Sequence, residues 1–423
     1  MKADLIIHNA GQLVTCAAGT KPKRGPEMLD VGVMRNGAVA IAEEKFLSVG
    51  PSEEILRTFE ASQLLDAAGR VVCPGFVDPH THIVYAGDRL DEFERKIKGT
   101  AYLDIAAAGG GIMSTVRNTR SASVEELVET GLDRLNKMLA CGTTTCEIKT
   151  GYGCILETEL KMLAVAEELD RRHPMTIVPT FLAAHTVPPE YSDDPDRYVE
   201  EICDEMLPAA WDWYVTSSFR TELLPFFCDV FCEKGAFTVE QSQRVLSTAR
   251  SLGFLVKAHV DQFNDLGGSP MAIDLDATSV DHLDVSSEPT IAALAASDTL
   301  GVVIPTENFS AGKTTFAPAR EFIDRGCAVA LSTDFNPGSA PCPSQPMAMA
   351  IAARYQKLLP SECLNAATIN ASHAIAMGDR IGSIEVGKEA DLLILDSTDY
   401  RQLIYEFGGN LVSRVFKSGR EVL

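Results

Sequence analysis

Val71-Val72-Cys73-Pro74-Gly75-Phe76-Val77-Asp78-Pro79-His80-Thr81-His82 is the stretch on which the reading of this chain turns. Its apolar run reads as a short buried strand, punctuated by Pro74 and Gly75. Two histidines follow, two residues apart. In extended backbone, residues i and i+2 project to the same face. His80 and His82 can therefore reach one point in space, as a metal ion requires. Taken alone, the pair is also compatible with two ordinary polar loop residues, so the rest of the chain has to decide.

Outward from this stretch, a rhythm of short apolar segments and helical patterns sets in. The segments are 70–77, 143–148, 176–184, 226–231, 254–258, 277–280, 300–304 and 327–331. Amphipathic stretches lie between them, at 124–139, 158–172, 240–252 and 288–295. Ser123 and Glu126 form a capping-box signature ahead of the first. Eight strands separated by helices predict an α/β fold, a (β/α)8 barrel. An open doubly wound sheet is the alternative, but no GxGxxG or Walker sequence supports it.

Residues 1–70 read differently, as short strands at 4–10, 12–16, 31–34, 37–42 and 46–50, with Asn36-Gly37 as a hairpin signal. Residues 348–377 read as helical. The segments 382–396 and 415–420 read again as strands and hairpins. The two ends are therefore expected to pair into one small β-sandwich domain, 1–70 with 377–423, and the barrel of 71–376 is inserted between them.

The totals fit that picture. A length of 423 residues suits a barrel of roughly 250 residues or more with an accessory domain. The net charge of -22 argues against nucleic acid and anionic membranes as partners. No stretch is long enough to span a bilayer, and Met1 to His8 show no secretory pattern. The eleven cysteines are scattered without a CxxC pair, as expected of reduced thiols in the cytoplasm. Cys228 and Cys232 are read as buried thiols.

Barrel enzymes build their sites at the C-terminal ends of the strands. Five of the eight histidines fall at such ends: His80, His82, His185, His259 and His282. His8, His173 and His373 are read as structural or surface residues. Asp334 follows the eighth strand. His80, His82, His259 and Asp334 together supply nitrogen and carboxylate ligands suited to Zn2+ or Fe2+. Singly, His259 reads equally as a core histidine and Asp334 as a turn residue before Asn336-Pro337-Gly338. A metal at a barrel mouth lowers the pKa of water towards roughly 7 and polarises a carbonyl. His282 and Asp334 are the candidates for moving the protons. The reaction class this predicts is hydrolysis of a C–N bond at an sp2 carbon.

Six segments, in order along nearly the whole chain, make the pattern specific. They are Asp78-Pro79-His80-Thr81-His82, Ala108-Gly109-Gly110-Gly111-Ile112, Gly142-Thr143-Thr144-Thr145, Lys149-Thr150-Gly151-Tyr152-Gly153, Ala184-His185-Thr186-Val187-Pro188-Pro189-Glu190-Tyr191 and Thr333-Asp334-Phe335-Asn336-Pro337-Gly338. With them the chain resembles the imidazolonepropionase family of the amidohydrolase superfamily. That resemblance implies hydrolysis of 4-imidazolone-5-propanoate, a small anionic ring substrate, to N-formimino-L-glutamate in histidine degradation. It implies one divalent metal held by His80, His82, His259 and Asp334, and it suggests a homodimer. It carries substrate binding to Arg89, Tyr152, His185, Gln262, Asn336, Gly338 and Ser339, and proton transfer to His282. Arg89 offers a planar fork for the propanoate, and Tyr102 or Tyr152 adds a hydroxyl donor.

Three features depart from the family. Gln262 stands where many members have glutamate, and an amide takes no proton at neutral pH, so acid–base work falls to His282 and Asp334. Glu307-Asn308 has no match, and the 207–225 region with Trp211 and Trp213 is longer than in compact members. The rival readings are another amidohydrolase, a ring deaminase or cyclic amidase made binuclear by Lys149, and a non-catalytic assembly protein that kept the barrel. Against the binuclear form, Lys149 also reads as an ion-pair partner for Glu147.

Overall fold

The structure is a computed structural model that describes residues 2–99 and 110–423. Tyr102, Ala108 and Gly109 lie outside the described residues. Six strands come first: β1 (Lys2–Ala10), β2 (Gln12–Val14), β3 (Val33–Met34), β4 (Gly37–Ala42), β5 (Lys45–Pro51) and β6 (Glu60–Asp66). The apolar pattern does not announce β6. It is an edge strand paired only with β1, and most of its residues are exposed.

The Asn36-Gly37 turn differs from its expected role. β3 pairs with β2 while β4 pairs with β1, so this turn carries the chain from one sheet to another. The hairpin lies at Glu43-Glu44, between β4 and β5. Both glutamates have positive φ, 52° and 67°, as a type I′ turn demands.

The stretch 70–77, expected as one strand, is broken at Gly75 into β7 (Val71–Pro74) and β8 (Phe76–Asp78). β8 opens the barrel. The others are β9 (Thr143–Lys149), β10 (Thr176–Ala184), β11 (Phe227–Val230), β12 (Leu255–Val260), β13 (Ser279–His282), β14 (Leu300–Val303) and β15 (Val329–Leu331). They pair in sequence order from β8 to β15, each parallel to the next. Just beyond the strands the ring closes. Thr81 bridges Phe335, and the His82 N–H donates to the Phe335 carbonyl at 3.0 Å. The buried Asp78 carboxylate adds three bonds across the seam. It accepts from Ser332 Oγ and Thr333 Oγ1, both at 2.5 Å, and from the Thr333 N–H at 3.2 Å. This is a (β/α)8 barrel.

The C-terminal strands β16 (Leu392–Leu395), β17 (Val412–Lys417) and β18 (Arg420–Glu421) return to the start of the chain. One sheet runs β18-β17-β16-β7-β2-β3 and a second runs β5-β4-β1-β6. Both contribute to one apolar core, with Ile7, Val39 and Phe46 from the second packed among Leu13, Val72, Leu392 and Phe416 from the first. Both chain ends thus meet in one sheet.

The helix Val124–Ala140 starts with the expected capping box: the Glu126 N–H donates to Ser123 Oγ and the Ser123 N–H to Glu126 Oε2. The region 348–377 is not one helix but a series, including Gln345–Ile351, Pro360–Ala366 and Ile369–Ala374. Pro360 lacks a backbone N–H, so it starts a helix rather than continuing one. Residues 207–225 form the helices Leu207–Thr216 and Ser218–Thr221. Trp211 packs over Gly253, 5.1 Å from the Phe254 ring. No helix among the described residues is long and apolar enough to cross a membrane.

Gly75 joins the small sheet to the barrel. Its N–H donates to the Asp391 carbonyl at 3.1 Å, and a Cβ there would fall 2.3 Å from Thr144 Oγ1. Gly75→Ala is expected to lower stability by about 1–3 kcal/mol, the usual cost of overpacking a tight site. Chemical denaturation measures this, and an unchanged midpoint and slope would contradict it.

Candidate metal centre

The strand ends bring five imidazoles into one cluster. Ring centroids lie 5.2 Å apart for His80–His82, 4.3 Å for His80–His259, 5.3 Å for His259–His282 and 5.0 Å for His82–His185. His80 and His82 are placed by the closure of the barrel, His259 and His282 by β12 and β13 themselves. The period of two in a strand aims Lys257 with His259, Glu147 with Lys149, and Ser279 with Asp281 at the same interior. His173 stays apart, 3.3 Å from Asn136 Oδ1.

Three of these rings converge through one kind of atom. Nε2 of His82 is 3.3 Å from Nε2 of His80 and 3.5 Å from Nε2 of His259. Oδ1 of Asp334 is 3.7 Å and 3.6 Å from the Nε2 atoms of His80 and His82. The far nitrogens are held by carboxylates. Nδ1 of His80 is 2.7 Å from Asp281 Oδ2, and Nδ1 of His259 is 3.0 Å from Asp229 Oδ2. A carboxylate at Nδ1 selects the tautomer with the proton there, which leaves the Nε2 lone pair facing inward. Lone pairs aimed at one another repel unless something electrophilic lies between them. Nitrogens bound to a tetrahedral ion at about 2.0–2.1 Å sit about 3.3 Å apart, the spacing seen here. Burial drives the pKa of His80 and of His82 well below the ordinary value, so both rings are in the neutral form that ligates.

Around the ligands lies a charge network of which the sequence reading found only part. Lys149 Nζ is 2.6 Å from Asp229, 2.9 Å from Glu147 and 3.6 Å from Asp281. Lys257 Nζ is 2.9 Å from Glu147, 3.6 Å from Asp281 and 2.7 Å from the Pro79 carbonyl. The side chains of these five residues are fully buried. Burial would discharge Lys149, but Asp229, Glu147 and Asp281 outweigh it and hold the ammonium charged. Glu147, Asp229, Asp281 and Asp334 outnumber the two ammonium groups, and burial pushes Asp281 and Asp334 towards their neutral forms. An unpaired buried charge is costly, and a divalent cation beside Asp334 would favour its ionised, ligating form. The residues present fit a divalent metal. A charged residue inside an otherwise apolar strand, as Asp229 and Lys257 are, was the available signal for the missed members.

The expected substrate-binding residues border the same end. Tyr152 is buried, with its ring 5.9 Å from His82 and 5.5 Å from His185. Burial, aided by Asp334, raises its pKa, so it stays a neutral phenol. Burial pushes the His185 pKa down to about 3, and its Nδ1 lies 3.2 Å from the Gly151 carbonyl. Arg89 is paired with a neighbouring carboxylate. Its Nε and Nη2 bond Glu92 Oε2 at 2.8 and 2.5 Å. Nη1 lies so close to Gly338 that a Cβ there would fall 2.0 Å from it. Asn336 shapes the turn after Asp334: its Oδ1 accepts from the Gly338 and Ser339 N–H groups at 2.8 Å, and its Nδ2 donates to the Asp334 carbonyl at 2.7 Å. Ser339 Oγ is 3.5 Å from Asp334 Oδ2. Gln262 is half-buried in the loop after β12. Glu307 pairs with Lys313 at 2.9 Å, and Asn308 Nδ2 donates to Asp284 at 3.0 Å. Tyr102 lies outside the described residues.

Comparison with known proteins places this geometry in a family. A profile of the Amidohydrolase family matches residues 231–422. The imidazolonepropionase of Chloroflexus aggregans is 54% identical over 99% of this chain and 98% of its own length. That of Herpetosiphon aurantiacus is 49% identical, over 99% and 97%. Among solved structures, an adenosine deaminase from Xanthomonas campestris with bound zinc has the same fold. Its TM-score is 0.73 at 20% identity, covering 100% of this chain and 93% of that one. Identity of this extent along both full lengths settles the grouping: the chain belongs to the imidazolonepropionase family of amidohydrolases.

Proposed function

We propose that the protein hydrolyses 4-imidazolone-5-propanoate to N-formimino-L-glutamate, the ring-opening step of histidine degradation. The observation that carries the chemistry is the convergence of three Nε2 atoms, 3.3 and 3.5 Å apart, beside Asp334. His80, His82, His259 and Asp334 would hold one Zn2+ or Fe2+ per chain, which would supply Lewis acidity for ionising water and polarising the ring carbonyl. Water adds its oxygen to the carbonyl carbon, the C–N bond breaks, and the departing nitrogen takes a proton. Asp334 stands where it can accept the proton of the attacking water. His282 lies 5.3 Å, ring to ring, from both His80 and His259. Burial holds it neutral, so it can donate through one nitrogen and accept at the other. Gln262 only hydrogen-bonds the ring.

The propanoate is assigned to Arg89 with Tyr152. Glu92 holds the guanidinium in place, and the Gly338 turn leaves no room for a side chain beside it. His185, Asn336, Gly338 and Ser339 complete the proposed contacts, and Tyr102 remains assigned by resemblance alone. The proposed unit is a cytoplasmic homodimer. A binuclear site through Lys149 is disfavoured, because its ammonium is already committed to three carboxylates.

Purified protein is expected to consume 4-imidazolone-5-propanoate, to stop when a chelator removes its metal, and to recover when Zn2+ or Fe2+ is returned. A metal-loaded protein inert towards this compound but active on other cyclic amides or aminated rings would replace the proposal with the rival reading. Arg89→Ala is expected to raise KM for the propanoate substrate about tenfold to a hundredfold, the loss of a charge-assisted contact. An analogue without the carboxylate should be nearly indifferent to the change. Equal effects on both would remove Arg89 from that role.

A further inference from the structure

The turn Lys149-Thr150-Gly151-Tyr152-Gly153-Cys154 carries the chain from β9 into the helix Leu156–Arg172. It is wrapped around one carboxylate. Glu159, in the first turn of that helix, is fully buried. Its Oε2 accepts from the Gly151 N–H at 2.9 Å, and its Oε1 from the N–H groups of Gly153 at 2.8 Å and Cys154 at 2.7 Å. Three donors on one buried anion make strong, charge-assisted bonds. The backbone is shaped to deliver them: Gly151 has φ +103° and Cys154 φ +55°. A Cβ on Gly153 would fall 2.8 Å from both the backbone N and Oε1 of Glu159. The protein supplies its own anion to a nest of backbone N–H groups of the kind that elsewhere binds phosphate.

What this turn presents to the metal end gives Glu159 its consequence. Tyr152 sits between the two anchored glycines, with its ring beside His82 and His185. The Gly151 carbonyl faces Nδ1 of His185. That contact puts the ring proton on Nδ1 and leaves Nε2 as an acceptor, while the ring stacks on His82 with a tilt of 16°. One carboxylate therefore fixes the place of Tyr152 and, through Gly151, the orientation of His185. Other anchors hold the flanks: the Thr150 N–H donates to the Thr180 carbonyl, and Arg120 Nε donates to the Gly153 carbonyl. Among the described residues, Glu159 accepts the three N–H groups at the centre.

We infer that Glu159 is a positioning residue for substrate binding, acting through the Gly151-Tyr152-Gly153 turn on Tyr152 and His185. This rests on the reading of those two residues as substrate contacts. It touches neither the metal ligands nor the reacting atoms, so its removal should separate binding from metal loading.

The test is Glu159→Gln in the full-length metal-loaded protein. An amide of the same size has one acceptor oxygen and sets an NH2 group against at least one of the three donors. Amide hydrogen exchange over residues 150–155 should accelerate at least about tenfold. KM should rise about tenfold to a hundredfold, the loss of a charge-assisted bond, with kcat changed far less and the metal content per chain unchanged. Glu159→Asp keeps the charge but lacks a methylene. It should shift exchange and KM in the same direction by less, and it serves if the glutamine variant does not fold. Exchange as slow as in the parent protein overturns the inference, as does an unchanged KM. Tyr152→Phe separates the causes. If its KM is unchanged too, the failure lies in the reading of Tyr152 as a substrate contact rather than in the anchoring of the turn.

Discussion

Three imidazole Nε2 atoms converging on one place is an arrangement that suits a cation, and the rest of the barrel interior is built to keep them there. Asp281 and Asp229 hold His80 and His259 from behind, and Lys149 and Lys257 hold those carboxylates. Remove the lysines and the carboxylates become unpaired charges in a dry core. Remove the carboxylates and the rings lose the tautomer that aims Nε2 inward. The ligand set is therefore the visible edge of a buried network in which each charge is fixed by another. Its carboxylates outnumber its ammonium groups, and a divalent ion answers that imbalance.

Placement of that network depends on closing the barrel in register. The first and last strands meet at the very residues that bear ligands. Thr81 pairs with Phe335 between His80 and His82 on one side and Asp334 on the other. Asp78, two residues before His80, takes three hydrogen bonds from Ser332 and Thr333, which immediately precede Asp334. Closing the seam of the barrel thus brings His80, His82 and Asp334 together. The small sheets serve it from below, since β7 leads into β8 through Gly75, a joint too tight for a side chain.

Much of this was legible in the chain. The parallel strands and their order followed from apolar segments alternating with helical periods, and the candidate ligands from their place at the strand ends. What escaped was of two physical kinds. Pairing partners are not local: Asn36-Gly37 has hairpin chemistry, yet β3 and β4 find better partners in β2 and β1, and the true hairpin uses two glutamates that no turn rule favours. Likewise, β6 is a polar edge strand whose backbone pairing, rather than its side chains, makes it a strand. Buried ion pairs are the second kind. Lys257 and Asp229 look like interruptions of apolar strands until their partners across the barrel interior are known, and those lie up to 110 residues away. Glu159 is hidden in the same way, as one of two acidic residues opening a helix.

The account stands on a single cation at the open end of the barrel, and diffraction at the zinc or iron absorption edge tests it most directly. The predicted result is one anomalous peak per chain, about 2.0–2.2 Å from Nε2 of His80, His82 and His259 and from a carboxylate oxygen of Asp334. No peak in metal-loaded protein, a peak held by other residues, or a pair of peaks bridged by Lys149 would contradict it.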